Sequence, residues 1–288
     1  MIEPGHAPAF VAPRPDPNTS LLPWLERWSL KPDGPAFATH SSALQPVLHQ
    51  GRPAMLKRAY NAEEQQGGRL MQWWDGLGAA RVLEDDGQAI LLERAMGTGS
   101  LAQMARDGRD DEACLVLCEA ARKLHGHRGA APPGLADLAE YFVSLRQAAQ
   151  QHGGLFEQAW QIAARLLARS DGKQPLHGDL HHENVLDFGP QRGWLAIDPK
   201  RVIGARGFDY ATLFGDPLDL GAELPVRLGR RLAVVAPASG LPPALLLQWI
   251  AAQQGLSAAW HLEDDEYAEA QLPLSVLSAA LTIGVTHL

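Results

Sequence analysis

The sequence predicts an α+β protein of two lobes, and two features of its patterning carry that expectation. Residues 36–93 hold short apolar or alternating runs separated by turn residues, whereas from about residue 99 the apolar positions recur at helical spacing over long stretches. A polar loop-and-strand island, residues 175–203, interrupts the helical part. At 288 residues the chain can fill two lobes, given a usual domain of roughly 100–200 residues. The expected division is a small lobe over 1–95 and a larger, mainly helical lobe over 96–288.

Taken in order, residues 1–17 are proline-rich and predict an irregular arm. Asn18, Thr19 and Ser20 offer caps for a helix through Leu21, Leu22, Trp24, Leu25 and Trp28, which stops near Lys31-Pro-Asp-Gly34. Extended segments follow at Ala36 to His40 and Gln45 to His49, then a turn at Gln50-Gly-Arg-Pro53 and a strand from Ala54 to Arg58. Residues 61–75 read as a helix despite Gly67 and Gly68, and Val82-Leu83 and Ala89 to Glu93 read as a strand pair about Asp85-Asp-Gly87. Helices are expected at 99–106, 110–125, 134–151 and 154–170 and again after the island, with no internal repeat. This order turns the polar island toward a cleft between lobes, where ligands usually bind.

Bulk properties narrow the partner. Forty-six per cent of residues are apolar and 20% charged, an ordinary globular balance. The net charge of −8, with no run of Lys or Arg, argues against nucleic acid and suits a cationic or neutral small molecule. Cys114 and Cys118 lie one turn apart in a helical pattern, which fits core filling better than a bridge. The N-terminus lacks a basic start followed by an apolar stretch, and no apolar run approaches the length of a membrane span. The expectation is a cytoplasmic protein with no membrane partner and no sign of an obligatory protein partner.

The island supplies chemistry. Phosphoryl transfer asks of a protein a group that positions the acceptor hydroxyl, ligands for a metal bridging the phosphates, and a cation on those phosphates. Asp179 and Asn184 stand five residues apart, the spacing of the protein-kinase catalytic loop, and Asp198 ends the apolar strand Trp194 to Ile197. Lys57 ends the apolar run Ala54-Met-Leu56, as a phosphate-pairing lysine does. In this reading Asp179 orients the hydroxyl, Asn184 and Asp198 hold Mg²⁺, Lys57 neutralises the phosphates of ATP, and Glu64 or Glu63 pairs with Lys57. Blander readings stand beside it. Lys57 alone is the pattern of a surface lysine with its stem on apolar neighbours. His177, Asp179, His181 and His182 are typical zinc ligands, although Asn184 and Asp198 then have no role. Cys114, Cys118 and His125 share an ordinary core helix, and Glu263-Asp-Asp-Glu266 reads as a solvated face.

The motifs Leu176-His-Gly-Asp-Leu-His-His-Glu-Asn-Val-Leu186, Ala196-Ile-Asp-Pro-Lys200 and Gly207-Phe-Asp-Tyr-Ala211 resemble the aminoglycoside phosphotransferase superfamily. Within it they are similar to the aminoglycoside/hydroxyurea antibiotic resistance kinases, which include streptomycin 6-phosphotransferases. Looser similarity at Pro53-Ala-Met-Leu-Lys57, Gln72-Trp-Trp-Asp-Gly76 and Leu91-Leu-Glu-Arg-Ala95 extends it over about residues 36–215. The resemblance implies a protein-kinase-like fold and a catalytic Asp179, with Asn184 and Asp198 on magnesium and Lys57 on ATP. It also implies that backbone groups of Glu93, Arg94 and Ala95 meet adenine, and that Asp209 braces the catalytic loop. His177 is expected as a buried scaffold of that loop and His182 as a neighbour of the phosphates. Two departures stand out. Ile197-Asp-Pro199 replaces Asp-Phe-Gly, so a switch built on a mobile Phe is not expected. No G-x-G-x-x-G covers the phosphates, which leaves that task to the turn His40-Ser-Ser-Ala43, with Ser41 and Ser42 as donors. The implied activity is ATP-dependent phosphorylation of a hydroxyl on an aminoglycoside or on hydroxyurea. The alternatives are a kinase of a housekeeping metabolite and a catalytically silent nucleotide-binding module.

Overall fold

A computed structural model of the chain describes residues 16–39, 41–60, 67–169 and 172–286. Helix α1 (Pro17–Arg27) opens at Asp16, whose side chain accepts the Asn18 N–H at 2.9 Å. The cap is therefore Asp16 rather than the Asn18–Ser20 group, because Pro17 has the fixed φ favoured in the first helical turn and pushes the cap one residue back.

Strands β1 (Lys31–Pro32), β2 (Phe37–Ala38), β3 (Ser42–His49) and β4 (Arg52–Ala59) come next. Helix α2 (Gly67–Trp74) and strands β5 (Val82–Asp85) and β6 (Ala89–Glu93) complete this part. The strands form one antiparallel sheet in the order β1-β3-β4-β6-β5, with β2 beside β3. Lys31-Pro32, expected as the stop after α1, serves as an edge strand, a position where the missing proline N–H costs no ladder bond. The strand period of two then sorts the side chains. Ala54, Leu56, Ala89 and Leu91 pack with Leu21 and Trp24 of α1 on one face. Ile90 and Leu92 pack with Met71, Phe188 and Leu195 on the other. Lys57, one residue after Leu56 and paired in register with Ile90, is turned to that second face.

The helical part contains α3 (Leu101–Arg106), α4 (Asp110–His125), α5 (Leu138–Tyr141), α6 (Val143–His152) and α7 (Gly154–Leu167). After the island come α8 (Gly207–Thr212), α9 (Glu223–Ser239), α10 (Pro243–Glu263) and α11 (Gln271–Thr286). The helix expected over 134–151 is divided: β7 (Ala136–Asp137) pairs with the island, and α5 starts afterwards. Asp137 and Glu140 make a capping box that fixes that start. One large core joins the helices and takes in Leu70, Trp74 and Ala79 from the sheet side. Helix α10 is apolar on nearly every face because it is enclosed by α7, α8 and α11. Among the described residues no single helix is long and apolar enough to cross a membrane.

Among the described residues the helical core contains one fully buried cation, Arg231. Arg231 of α9 makes a two-pronged pair with Asp110 of α4, at 2.9 and 2.7 Å, and donates to the carbonyls of Leu213 and Asp216. Removing the carboxylate leaves a guanidinium stranded in the core. Asp110→Ala is expected to lower the unfolding free energy by about 3–5 kcal/mol, read from urea titration, with the paired change Asp110→Leu, Arg231→Met closer to wild type.

Candidate active site

The island folds as two small sheets. Strand β8 (Lys173–Leu176) pairs with β11 (Val202–Ala205), which also holds β7, and β9 (Val185–Asp187) pairs with β10 (Trp194–Ala196). The loop 177–184 joins β8 to β9 and the loop 197–201 joins β10 to β11. The two loops are tied together by Lys200 N–H to His177 O at 2.7 Å and Ile197 N–H to Asn184 O at 2.9 Å.

Loop 177–184 takes its shape from buried groups. His177 is fully buried; its Nδ1 accepts the Asp179 N–H at 3.2 Å, so Nε2 carries the proton donated to Ile197 O at 2.8 Å. Burial pushes its pKa down. Asp209, also fully buried, accepts the backbone N–H groups of His177 at 2.9 Å and Gly178 at 2.7 Å and bonds His125 Nε2 at 2.8 Å. Burial by itself would raise the Asp209 carboxyl; the His125 bond and the Gly178 N–H outweigh it and hold the group below the usual carboxylate range. Gly178 has φ +79°, and a Cβ there would lie 2.7 Å from Val202 Cγ1 and 3.0 Å from Lys200 Cβ. Glycine is required on both counts.

Five of the expected residues, Ser41, Lys57, Asp179, Asn184 and Asp198, line one cavity of about 470 Å³ between the sheet and the island. Lys57 Nζ lies 2.6 Å from Asp198 Oδ1, which joins the two sides of the cleft. Asp198 adopts φ +56°, left-handed backbone that a non-glycine residue holds only against strain of about 1–2 kcal/mol. Asn184 Nδ2 donates to Asp179 O at 2.9 Å and lies 3.4 Å from Asp179 Oδ2. With its nitrogen committed to that loop, the amide oxygen of Asn184 and the carboxylate of Asp198 offer hard oxygen ligands.

Other expected residues lie elsewhere. Ser42 is buried in β3 and does not line the cavity. The Glu93 carboxylate is held by the Arg192 guanidinium and the Arg81 N–H, Arg94 bonds Asp33 at 2.5 Å, and Ala95 packs against the apolar cluster that contains Met71 and Ile90. Glu63, Glu64 and His40 lie outside the described residues. His181, not His182, faces the cavity. Among the described residues no group of three or more His, Cys, Asp or Glu is arranged to hold a metal ion, so the zinc reading has no site there. Cys114 and Cys118 are buried thiols pushed up to about 12, and residues 263–266 form an exposed acidic turn.

Four further groups line the cavity, His181, Glu183, Lys200 and Arg201; of these only His181 is singled out in the sequence, as a candidate zinc ligand. His181 stands between two carboxylates, 3.8 Å from Asp179 and 3.7 Å from Asp216. Burial raises the Asp216 carboxyl to about 6, with Asp179 and Glu183 adding to the shift and His181 opposing it. Lys200 did carry a signal, as a cation two residues beyond the candidate metal ligand in Ala196-Ile-Asp-Pro-Lys200.

A two-lobed fold with Lys57, Asp179, Asn184 and Asp198 around one cavity defines the class as a protein-kinase-like phosphotransferase. The sequence model of the aminoglycoside/hydroxyurea antibiotic resistance kinases matches residues 27–265, and the chain belongs to that family. It is 50% identical over 246 residues to a streptomycin 3''-kinase of Klebsiella pneumoniae, covering 83% of this chain and 91% of that protein. Identity to a streptomycin 6-kinase of Streptomyces griseus is 31% over 274 residues, 88% of this chain and 86% of that protein. The crystal structure of the aminoglycoside phosphotransferase APH(4)-Ia has the same fold, with a TM-score of 0.64 at 13% identity over 93% of this chain and 99% of that one.

His182 generates a prediction. It is buried with both ring nitrogens lacking a hydrogen-bond partner, and burial, helped by Arg231 and His181, pushes its pKa down to about 2. Because the folded state refuses a proton that the unfolded chain accepts below about 6.5, stability is lost as the pH falls from that value, by about 2 kcal/mol at pH 5. His182→Leu is expected to flatten this acid-side loss in a series of thermal unfolding midpoints from pH 8 to pH 5.

Proposed function

We propose that this chain transfers the γ-phosphoryl group of ATP to a hydroxyl of streptomycin. The observation that carries the reading is the 50% identity to the Klebsiella pneumoniae kinase over most of both chains. The cavity chemistry supports it, since streptomycin is a polyhydroxylated cation and Asp179 and Glu183 bring acidic groups to the island side of the cavity, with Asp216 behind His181. Identity to the 3''-kinase exceeds that to the 6-kinase, which favours the 3'' hydroxyl as acceptor.

In this mechanism Asp179 accepts a hydrogen bond from the acceptor hydroxyl and turns its oxygen toward the γ-phosphorus. The Asn184 amide, donating to Asp179, keeps that carboxylate in orientation. Lys57 leaves Asp198 to meet the ATP phosphates, and Thr39 and Ser41 at the β2–β3 turn cover them from the sheet side. Asn184 and Asp198 would hold Mg²⁺, which supplies charge neutralisation on the phosphate oxygens. Glu64 is the proposed partner of Lys57, and the backbone of Glu93, Arg94 and Ala95 the proposed contact for adenine. Asp209 and His177 act behind the loop. The lobes 1–95 and 96–288 would close on a small-molecule acceptor in the cytoplasm, with no nucleic acid, membrane or obligatory protein partner.

Purified protein with ATP and Mg²⁺ is expected to release ADP in the presence of streptomycin and to give the 3''-phosphate by phosphorus NMR. A 6-phosphate would overturn the position, and turnover of hydroxyurea but not streptomycin would overturn the acceptor. Asp179→Ala is expected to lower kcat by about a hundredfold or more, with ADP binding by calorimetry unchanged.

A further inference from the structure

We propose that Lys200 is a further catalytic residue, contacting the transferring γ-phosphoryl group on the acceptor side of the cavity. The inference rests on the phosphotransferase reading above. Three Lys or Arg side chains line the cavity among the described residues: Lys57, Lys200 and Arg201. Arg201 is turned outward, its guanidinium on the carbonyl of Gly134. Lys57 stands at Asp198 on the sheet side. That leaves Lys200, whose Nζ lies 3.8 Å from Asp179 Oδ2. This is an ion-pair distance beyond hydrogen-bond range, so the ammonium donors are not consumed by the carboxylate.

Its position is built, not incidental. The Lys200 N–H is fixed to His177 O at 2.7 Å. The bare Cα of Gly178 makes room for the Lys200 stem, since a Cβ there would lie 3.0 Å from Lys200 Cβ and 3.5 Å from Cγ. Pro199 stiffens the link to Asp198. Backbone and stem are thus held by the loop carrying Asp179, with the ammonium at ion-pair distance from it, and a cation beside Asp179 marks where the phosphoryl group must arrive.

In the reaction the acceptor oxygen forms a bond to the γ-phosphorus as the bond from that phosphorus to the β–γ bridging oxygen breaks. The electron pair of the broken bond leaves on ADP, and the hydroxyl proton passes to Asp179. Lys200 keeps its protons throughout. Its charge faces the equatorial oxygens of the group in flight, while Lys57 remains with the phosphates that depart. The division of labour follows: Lys57 serves nucleotide binding and Lys200 serves the transition state.

The test compares binding of ADP with binding of ADP plus tetrafluoroaluminate, a mimic of the transferring group, both with Mg²⁺ and measured by calorimetry. Lys200→Met is expected to keep ADP affinity within about threefold and to weaken the fluoroaluminate complex by about tenfold or more, with Lys200→Arg recovering most of the loss. In turnover it lowers kcat by about a hundredfold to a thousandfold with little change in KM for ATP. Unchanged fluoroaluminate binding in Lys200→Met, or equal weakening of both complexes, overturns the assignment and leaves the kinase reading standing. A wild-type chain that gains nothing from fluoroaluminate counts against the assignment as well. A wild-type chain that binds neither ligand overturns the kinase reading and Lys200 with it. Should Lys200→Met fail to fold by circular dichroism, Lys200→Gln is read by the same criteria.

Discussion

The buried carboxylate of Asp209 holds the geometry on which the island depends. It accepts two consecutive backbone N–H groups at the start of loop 177–184, from His177 and Gly178, and takes a third bond from His125. A carboxylate with no solvent would be costly unless its lone pairs were filled, and here the filling groups are the ones that must be positioned. The partners come from different parts of the fold: α8 supplies the accepting Asp209, α4 supplies His125, and the loop itself supplies the two amides. The bend at Gly178 then sets the direction in which Asp179 leaves the loop, and His177 ties that bend to Ile197 one residue before Asp198.

From this centre the site is extended across the cleft by bonds that belong to the backbone as much as to side chains. Ala80 N–H donates to Ala196 O and Ala196 N–H to Gly78 O, while Gly97 N–H donates to Asp187 O. The fork of Arg192 on Glu93 adds a charged tie between the β9–β10 turn and the end of β6. The sheet is thereby fastened to the island at several points, and Lys57 reaches Asp198 as part of a joined structure. The strain at Asp198 is supported by the same ties, through Ile197 on one side and Lys200 on the other.

Two buried basic groups show how differently burial is handled. Arg231 is paired, its three guanidinium nitrogens engaged by Asp110 or by the carbonyls of Leu213 and Asp216. His182 has no such partner and stays neutral, its pKa pushed far down by burial. The arginine organises the segment that carries Asp216; the histidine makes the loop sensitive to acid. Its neighbour His181, with identical side-chain chemistry, faces the cavity instead.

Much of the architecture is legible in the local sequence. The change from strand to helix patterning, the turn at Gln50-Gly51 and the helices expected at 110–125 and 154–170, the second of which ends at Leu167, follow from periodicity and turn chemistry, which are local. The spacing from Asp179 to Asn184 and the apolar strand before Asp198 are local as well, and they identified the island. What local pattern left open were choices made by distant partners: Asp16 as cap, Lys31-Pro32 as an edge strand paired with β3, and the division of 134–151 by pairing with β11. The choice of His181 over His182, and the presence of Lys200 beside Asp179, are of the same kind. A one-dimensional pattern states which residue types can do chemistry and roughly which face they occupy. Which of them meet in one cavity depends on loop-to-loop bonds and on buried charges such as Asp209, whose partners lie tens of residues away and leave no periodic trace.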